Sequence, residues 1–256
     1  MNIKFWENIK LKGNSSILDK VIFFLAEFLG TLILLFVGCM GCTLLRTSPV
    51  LEGALAFGLA VMIAIQCFGH ISGAHVNPLL TIAAIIVGMT SLLDSIFYFI
   101  GQFVGAIAGF AILTLLLPKL IIFGKEVKDN SHGVCSPVLH SQLTETQGIF
   151  VEFMISFILV LVICGIWDAK NKGKTDSTPL RFGLALGGLA IAAGPYTGGN
   201  MNPARTLAPA IINNYWTSHW VYWVGQLLGA FLAALLYVII FTEEGGSSKG
   251  RDDDNA

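Results

Sequence analysis

Charge is what this 256-residue chain has least of. Only 12% of its residues are Asp, Glu, Lys or Arg, against roughly a quarter in an ordinary soluble domain. With 55% hydrophobic residues and a mean hydropathy of +0.75, that shortage argues against a soluble domain and predicts a multi-pass membrane protein. Basic residues sit in short connecting segments, so no patch for nucleic acid exists, and a net charge of −1 adds no attraction. A metal framework is missing too. Cys39, Cys42, Cys67 and Cys164 lie in apolar runs and are expected to be small buried side chains, while Cys135 lies in a loop. No nucleophile–base set occurs outside the apolar runs, so no enzyme activity, catalytic residue or cofactor is expected. The first twenty residues carry Lys4, Lys10, Lys12 and Lys20 and lack a small-residue cleavage site, so the first apolar run is expected to be retained.

What is present in abundance is apolar sequence of spanning length. A span needs about 20 apolar residues. Residues 21–45, 53–70, 95–117, 148–167, 180–195 and 219–241 read as six spans. Asp94 is the expected N-cap of the third, and Pro118 its stop. Two further apolar stretches, 78–89 and 203–213, are too short to cross. Each follows an irregular Gly-containing segment ending in Asn-Pro: Asn77-Pro78 and Asn202-Pro203. Asn is a good N-cap and Pro suits the first helical position, so each predicts a half-helix starting inside the bilayer. A polar connection, 118–146, divides the chain into repeat one (21–117) and repeat two (148–241) of a channel domain spanning 21–242. Residues 1–20 are expected to be a cytoplasmic N-terminus and 243–256 a disordered cytoplasmic tail.

The halves are copies. Ala26-Glu27-Phe28 recurs as Val151-Glu152-Phe153, Phe57-Gly58-Leu59-Ala60 as Phe182-Gly183-Leu184-Ala185, and Asn77-Pro78 as Asn202-Pro203, each 125 residues on. Gly101-Gln102 recurs as Gly225-Gln226, 124 residues on. Each half holds three spans, an odd number, so the second half enters the membrane inverted relative to the first. The expected architecture is an all-α membrane protein of six transmembrane helices plus two re-entrant half-helices in an inverted repeat. With the N-terminus inside, ten Lys and Arg fall on the inner side (Lys4, Lys10, Lys12, Lys20, Lys170, Lys172, Lys174, Arg181, Lys249, Arg251). Four fall outside (Arg46, Lys119, Lys125, Lys128), which places both termini in the cytoplasm.

Irregular backbone at membrane depth must line water or be held by protein groups. Glu27 and Glu152 are the obvious holders; proton or cation coupling is the other use of a carboxylate there. Asn77 and Asn202 offer amide donors where two positive helix ends meet, an arrangement that repels cations and can orient a water or hydroxyl oxygen. The alternative is that each Asn is only a cap. Arg205, one turn into the second half-helix, must face water or a partner; one of the two Glu is the ion-pair candidate. His75 reads as a loop anchor, with a pH-sensitive gate as the other option. The series Gly101, Gly105, Gly109, with Gly225, Gly229 and with Gly183, Gly187, reads as close helix packing.

These motifs (Ala26-Glu27-Phe28-Leu29-Gly30-Thr31, Ser72-Gly73-Ala74-His75-Val76-Asn77-Pro78 and Met201-Asn202-Pro203-Ala204-Arg205) resemble those of the aquaporin, or major intrinsic protein, family, from Ala26 to about Thr242. The resemblance implies a pore in each protomer and a homotetramer in the cell membrane. It also implies an aromatic/arginine constriction, which lands on Phe57, Ala190, Gly199 and Arg205. Strict water channels of the family have His where this chain has Ala190. The resemblance therefore implies passage of glycerol, urea and small polyols alongside water. Thr206 stands where dedicated glycerol facilitators have Asp, and Tyr222-Trp223 resembles the water-channel branch. That combination is similar to the glycerol-conducting aquaporins of insects. Leu79 replaces the family's Ala after the first Asn-Pro, and conduction is expected to survive it. A water-selective channel, an ion-coupled transporter using Glu27 and Glu152, and an adhesive protein with a vestigial pore are the competing readings.

Overall fold

The computed structural model describes residues 9–43, 45–124 and 132–242, and these are helical with irregular connections. The expected tail 243–256 lies outside the described residues, as do Lys4, Lys125, Lys128, Lys249 and Arg251. Among the described residues, five helices are long and apolar enough to cross a membrane: α1 (Ile17–Met40), α2 (Pro49–Ser72), α4 (Leu92–Leu116), α6 (Glu145–Trp167) and α9, whose α-helical part is His219–Leu236 and which continues as a π-helical turn to Phe241. A sixth, α7 (Thr178–Thr197), has comparable length but is built from Gly and Ala, which lowers its hydropathy. Two short helices are α3 (Pro78–Ile86) and α8 (Pro203–Asn213). A five-residue helix, α5 (Lys119–Phe123), opens the long connection.

Helix boundaries differ from expectation for local reasons. The first span begins at Ile17 and ends at Met40, rather than covering 21–45. Ser16 and Asp19 form a capping box, in which the Ser16 hydroxyl accepts from Asp19 N–H and the Asp19 carboxylate from Ser16 N–H. Asp94 is not the N-cap of the third span. Ser91 is, accepting from Asp94 N–H at 3.1 Å, so Asp94 occupies the third helical position. The connection from α6 to α7 holds one 3-10 stretch, Ala169–Lys174, capped by Asp168.

Helices α1 and α4 pack together, as do α6 and α9, and α2 lies against α7. Glycine makes these approaches close. A Cβ on Gly101 would sit 2.7 Å from the Phe24 carbonyl oxygen, and one on Gly225 would sit 2.6 Å from that of Ile149. A Cβ on Gly105 would meet the Phe28 backbone, with Cα at 3.0 Å. Backbone cannot retreat as a flexible side chain can. We expect Gly105→Ala to destabilise the α1–α4 pair by about 1–3 kcal/mol. A lowered midpoint in a thermal unfolding scan of the detergent-solubilised protein checks this.

The half-helices cross between repeats. Helix α3 packs on α9, α8 packs on α4, and α3 touches α8. Nine residues in α3 and eleven in α8, at about 1.5 Å each, give a combined length of about 30 Å, one hydrocarbon core.

Candidate functional site

Each half-helix starts the same way. Helix α2 ends at Gly73 (φ +84°), whose N–H donates to Gly69, and α7 ends at Gly198 (φ +81°), whose N–H donates to Gly194. Only glycine adopts this left-handed cap without strain. Four to five residues of irregular chain follow, with Ala74, Val76 and Met201 also at positive φ, between 46° and 48°. Non-glycine residues held there cost of order 1–3 kcal/mol each, so surrounding groups must over-determine the loops.

Those groups are the two carboxylates. Glu27 is fully buried and accepts from the Ser72 hydroxyl (2.7 Å), His75 N–H (2.9 Å), Val76 N–H (2.7 Å) and the Gln102 amide (2.8 Å). Glu152 accepts from the Thr197 hydroxyl (2.6 Å), Asn200 N–H (3.0 Å), Met201 N–H (3.1 Å) and the Gln226 amide (2.9 Å). The two sets are the same set one repeat apart. Tyr98 and Tyr222 complete them by donating to the carbonyls of Ser72 (2.8 Å) and Thr197 (3.0 Å).

At the junction, Asn77 Oδ1 accepts from Leu79 N–H at 2.9 Å, and Asn202 Oδ1 from Ala204 and Arg205 N–H at 3.0 and 3.2 Å. Capping takes the oxygens, and the amide nitrogens reach across the repeat boundary. Asn77 Nδ2 donates to the Met201 carbonyl at 2.7 Å and Asn202 Nδ2 to the Val76 carbonyl at 2.9 Å. An amide has two N–H donors, so one on each Asn remains for another acceptor. Leu79 is fully buried in the core beside these contacts. His75, also buried, places Nδ1 3.1 Å from the Thr81 hydroxyl, with its ring against Tyr98 and Trp167.

Phe57, Ala190, Gly199 and Arg205 line one cavity of about 410 Å³, together with Cys42, Val134 and Cys135. The Arg205 guanidinium carbon lies 4.9 Å from the Phe57 ring centroid, within cation–π reach. A Cβ on Gly199 would meet Ala190 Cα at 3.1 Å, so these two positions form one wall. Arg205 Nη1 donates to the Cys135 carbonyl at 3.3 Å and to the Asn200 side-chain oxygen. Its partners are thus neutral oxygens rather than the Glu candidates considered above.

Two residues here were not singled out by the sequence. Asn200 carried a usable signal: it lies 125 residues after His75, and its Oδ1 faces the Thr206 hydroxyl (3.5 Å) as His75 faces Thr81. Cys135 carried less. It forms a disulfide with Cys39, with a Cα–Cα distance of 5.5 Å. The expectation that Cys39 is a simple buried thiol is therefore corrected. Because α1 stops at Met40, Cys39 lies in its last turn, where the long connection folds over it. Of the others, Cys164 is buried as expected, whereas Cys67 is exposed on α2 and Cys42 is half-buried at the cavity wall. Replacing Asn200 by Ala should leave Arg205 with one neutral acceptor fewer. We expect the glycerol-to-water permeability ratio to change about threefold, read by stopped-flow light scattering of proteoliposomes.

Half-helices from two inverted repeats, meeting at two Asn amides and held by buried carboxylates, define a multi-pass membrane protein with an inverted-repeat channel architecture. The model of the major intrinsic protein family matches residues 15–237. The chain belongs to that family. It is 40% identical to mouse aquaporin-4 over 224 residues, which are 84% of this chain and 66% of the mouse protein. It is 41% identical to the sheep lens fiber major intrinsic protein over 216 residues, 83% of this chain and 78% of that one. The match to rat aquaporin-4 spans 55% of the rat protein. The solved structure of the aquaglyceroporin from Plasmodium falciparum superposes with a TM-score of 0.73 at 25% identity, covering 86% of this chain and 96% of that chain.

Proposed function

We propose that this chain is a passive channel for water and small neutral solutes such as glycerol and urea, closed to ions and protons. The observation that carries the solute range is Ala190. It puts a methyl group in the wall of the cavity that Phe57 and Arg205 also line, where a larger polar ring would narrow it. Phe57, Ala190, Gly199 and Arg205 act as the selectivity filter. The free amide N–H groups of Asn77 and Asn202 orient each passing oxygen, and the paired helix N-termini repel cations. Glu27 and Glu152 hold the loops. Each already accepts four hydrogen bonds, which leaves little for a coupled proton or cation and weighs against a transporter. His75 anchors its loop. The structural neighbour is an aquaglyceroporin, in keeping with this range, while the aquaporin-4 relatives favour a second reading, a water-selective channel.

The protein sits in the cell membrane with both termini cytoplasmic, as a homotetramer. The Cys39–Cys135 disulfide supports this orientation, because disulfides persist on the oxidising side of a membrane and this one lies on the face of the long connection. Proteoliposome swelling tests the function. Glycerol and urea should enter at rates well above empty vesicles and unaffected by an uncoupler. Entry of water alone would favour the second reading, and entry abolished by the uncoupler would favour a transporter.

A further inference from the structure

The Arg205 guanidinium is gripped by two groups from different parts of the chain. Asn200 belongs to its own loop, five residues away. The Cys135 carbonyl belongs to the long connection, 70 residues away in sequence. A connection of that length keeps a carbonyl on a guanidinium only if its backbone is pinned on both sides. On one side, the Asn213 amide donates to the Val134 carbonyl (3.2 Å) and the Ser136 hydroxyl (2.9 Å), and Val134 N–H donates to Ile122 (2.9 Å). On the other, the Cys135 side chain is tied covalently to the last turn of α1. Cys135 itself has φ +65°, a left-handed conformation that a residue with a Cβ holds only under constraint. The disulfide supplies that constraint at the residue whose carbonyl meets Arg205.

We propose that Cys39 and Cys135 are positioning residues for solute selection: their disulfide clamps the Cys135 carbonyl onto Arg205 and so sets the width of the neck. The proposal rests on the filter reading above and extends it to residues outside the four filter positions. Reduction by a phosphine breaks the S–S bond. The phosphine gives up the electron pair and takes oxygen from water to become its oxide, and two protons complete the Cys39 and Cys135 thiols. Cys135 can then relax from its left-handed conformation, and Arg205 retains Asn200 alone.

The test uses the full chain in proteoliposomes, with water, urea and glycerol permeabilities measured before and after a membrane-impermeant phosphine. Mass counting of alkylated thiols establishes complete reduction. The expected result is a rise of about threefold in the urea-to-water and glycerol-to-water ratios, the factor matching one modest net hydrogen bond. It should reverse on reoxidation. The double variant C39S/C135S should show the raised ratios without phosphine and no response to it. A purely structural disulfide would lower all three permeabilities together. That outcome, or unchanged ratios after complete reduction, overturns the clamp. If the oxidised protein passes water only, the proposed solute range fails, and the clamp then stands or falls on whether reduction admits urea. Should the double variant fail to fold, the reduction of wild-type protein already in the membrane decides alone.

Discussion

Ala190→His is expected to cut glycerol permeability by about tenfold while water permeability stays within about threefold, the size of discrimination that one shaped contact supplies. The reasoning is steric and polar together. Ala190 shares a wall with Gly199, whose backbone lies so near that an added Cβ would stand 3.2 Å from the Ala190 carbonyl oxygen. That wall cannot retreat, so an imidazole at position 190 must occupy the cavity it faces. Phe57 lines the same cavity, stacked under the Arg205 guanidinium and only 7% exposed, and so is equally unable to move aside. Water needs one file of oxygen atoms and a donor to meet each, which the imidazole adds. Glycerol must bring its carbon backbone past the same point. Stopped-flow light scattering on vesicles of matched protein content reads both rates. An unchanged glycerol-to-water ratio would remove Ala190, and with it the proposed filter, from solute selection.

Glu27→Leu is expected to abolish conduction by losing the loop. Leucine has nearly the right volume and no acceptor. Four donors, two of them backbone N–H groups of a left-handed segment, would be left buried without partners. At about 1–3 kcal/mol for each unsatisfied group, the loss exceeds about 4 kcal/mol, a large part of the stability of an ordinary domain. The change in a thermal unfolding midpoint, followed by tryptophan fluorescence in detergent, measures it. Glu27→Gln is the companion variant. It keeps one acceptor oxygen but turns an N–H toward existing donors, so we expect an intermediate loss. Glu152→Leu should mimic Glu27→Leu, since Thr197, Asn200, Met201 and Gln226 repeat the same four bonds. Wild-type stability in either Leu variant would show that other contacts hold these loops.

Much of this molecule can be read without coordinates because a bilayer removes options. Where no water satisfies the backbone, a long apolar run is a helix, and a carboxylate inside one needs donors. Residue spacing did the rest. One offset of 125 residues related Glu27 to Glu152 and Asn77 to Asn202, and an odd number of spans inverted one half against the other. Boundaries were less legible, since Ser16 and Ser91 act through cap geometry that the apolar pattern does not display. The same offset relates Asn200 to His75, a signal the sequence reading passed over, although its role differs because the first repeat has no arginine at the corresponding place: Leu80 stands there.

The amino-acid sequence by itself thus determined the class of fold, the repeat and the residues at which both half-helices begin, because each follows from local chemistry or from a fixed spacing. Tertiary structure alone decided what those residues touch. Asn77 and Asn202 are caps and also cross-repeat donors, since inversion brings Met201 and Val76 within reach. Arg205 is held by Asn200 and Cys135 rather than by a carboxylate, because Glu152 is already occupied with its loop. Cys39 is half of a disulfide because a connection 96 residues further on folds back over the end of its helix. That closure depends on the path of the whole chain, which no local pattern records.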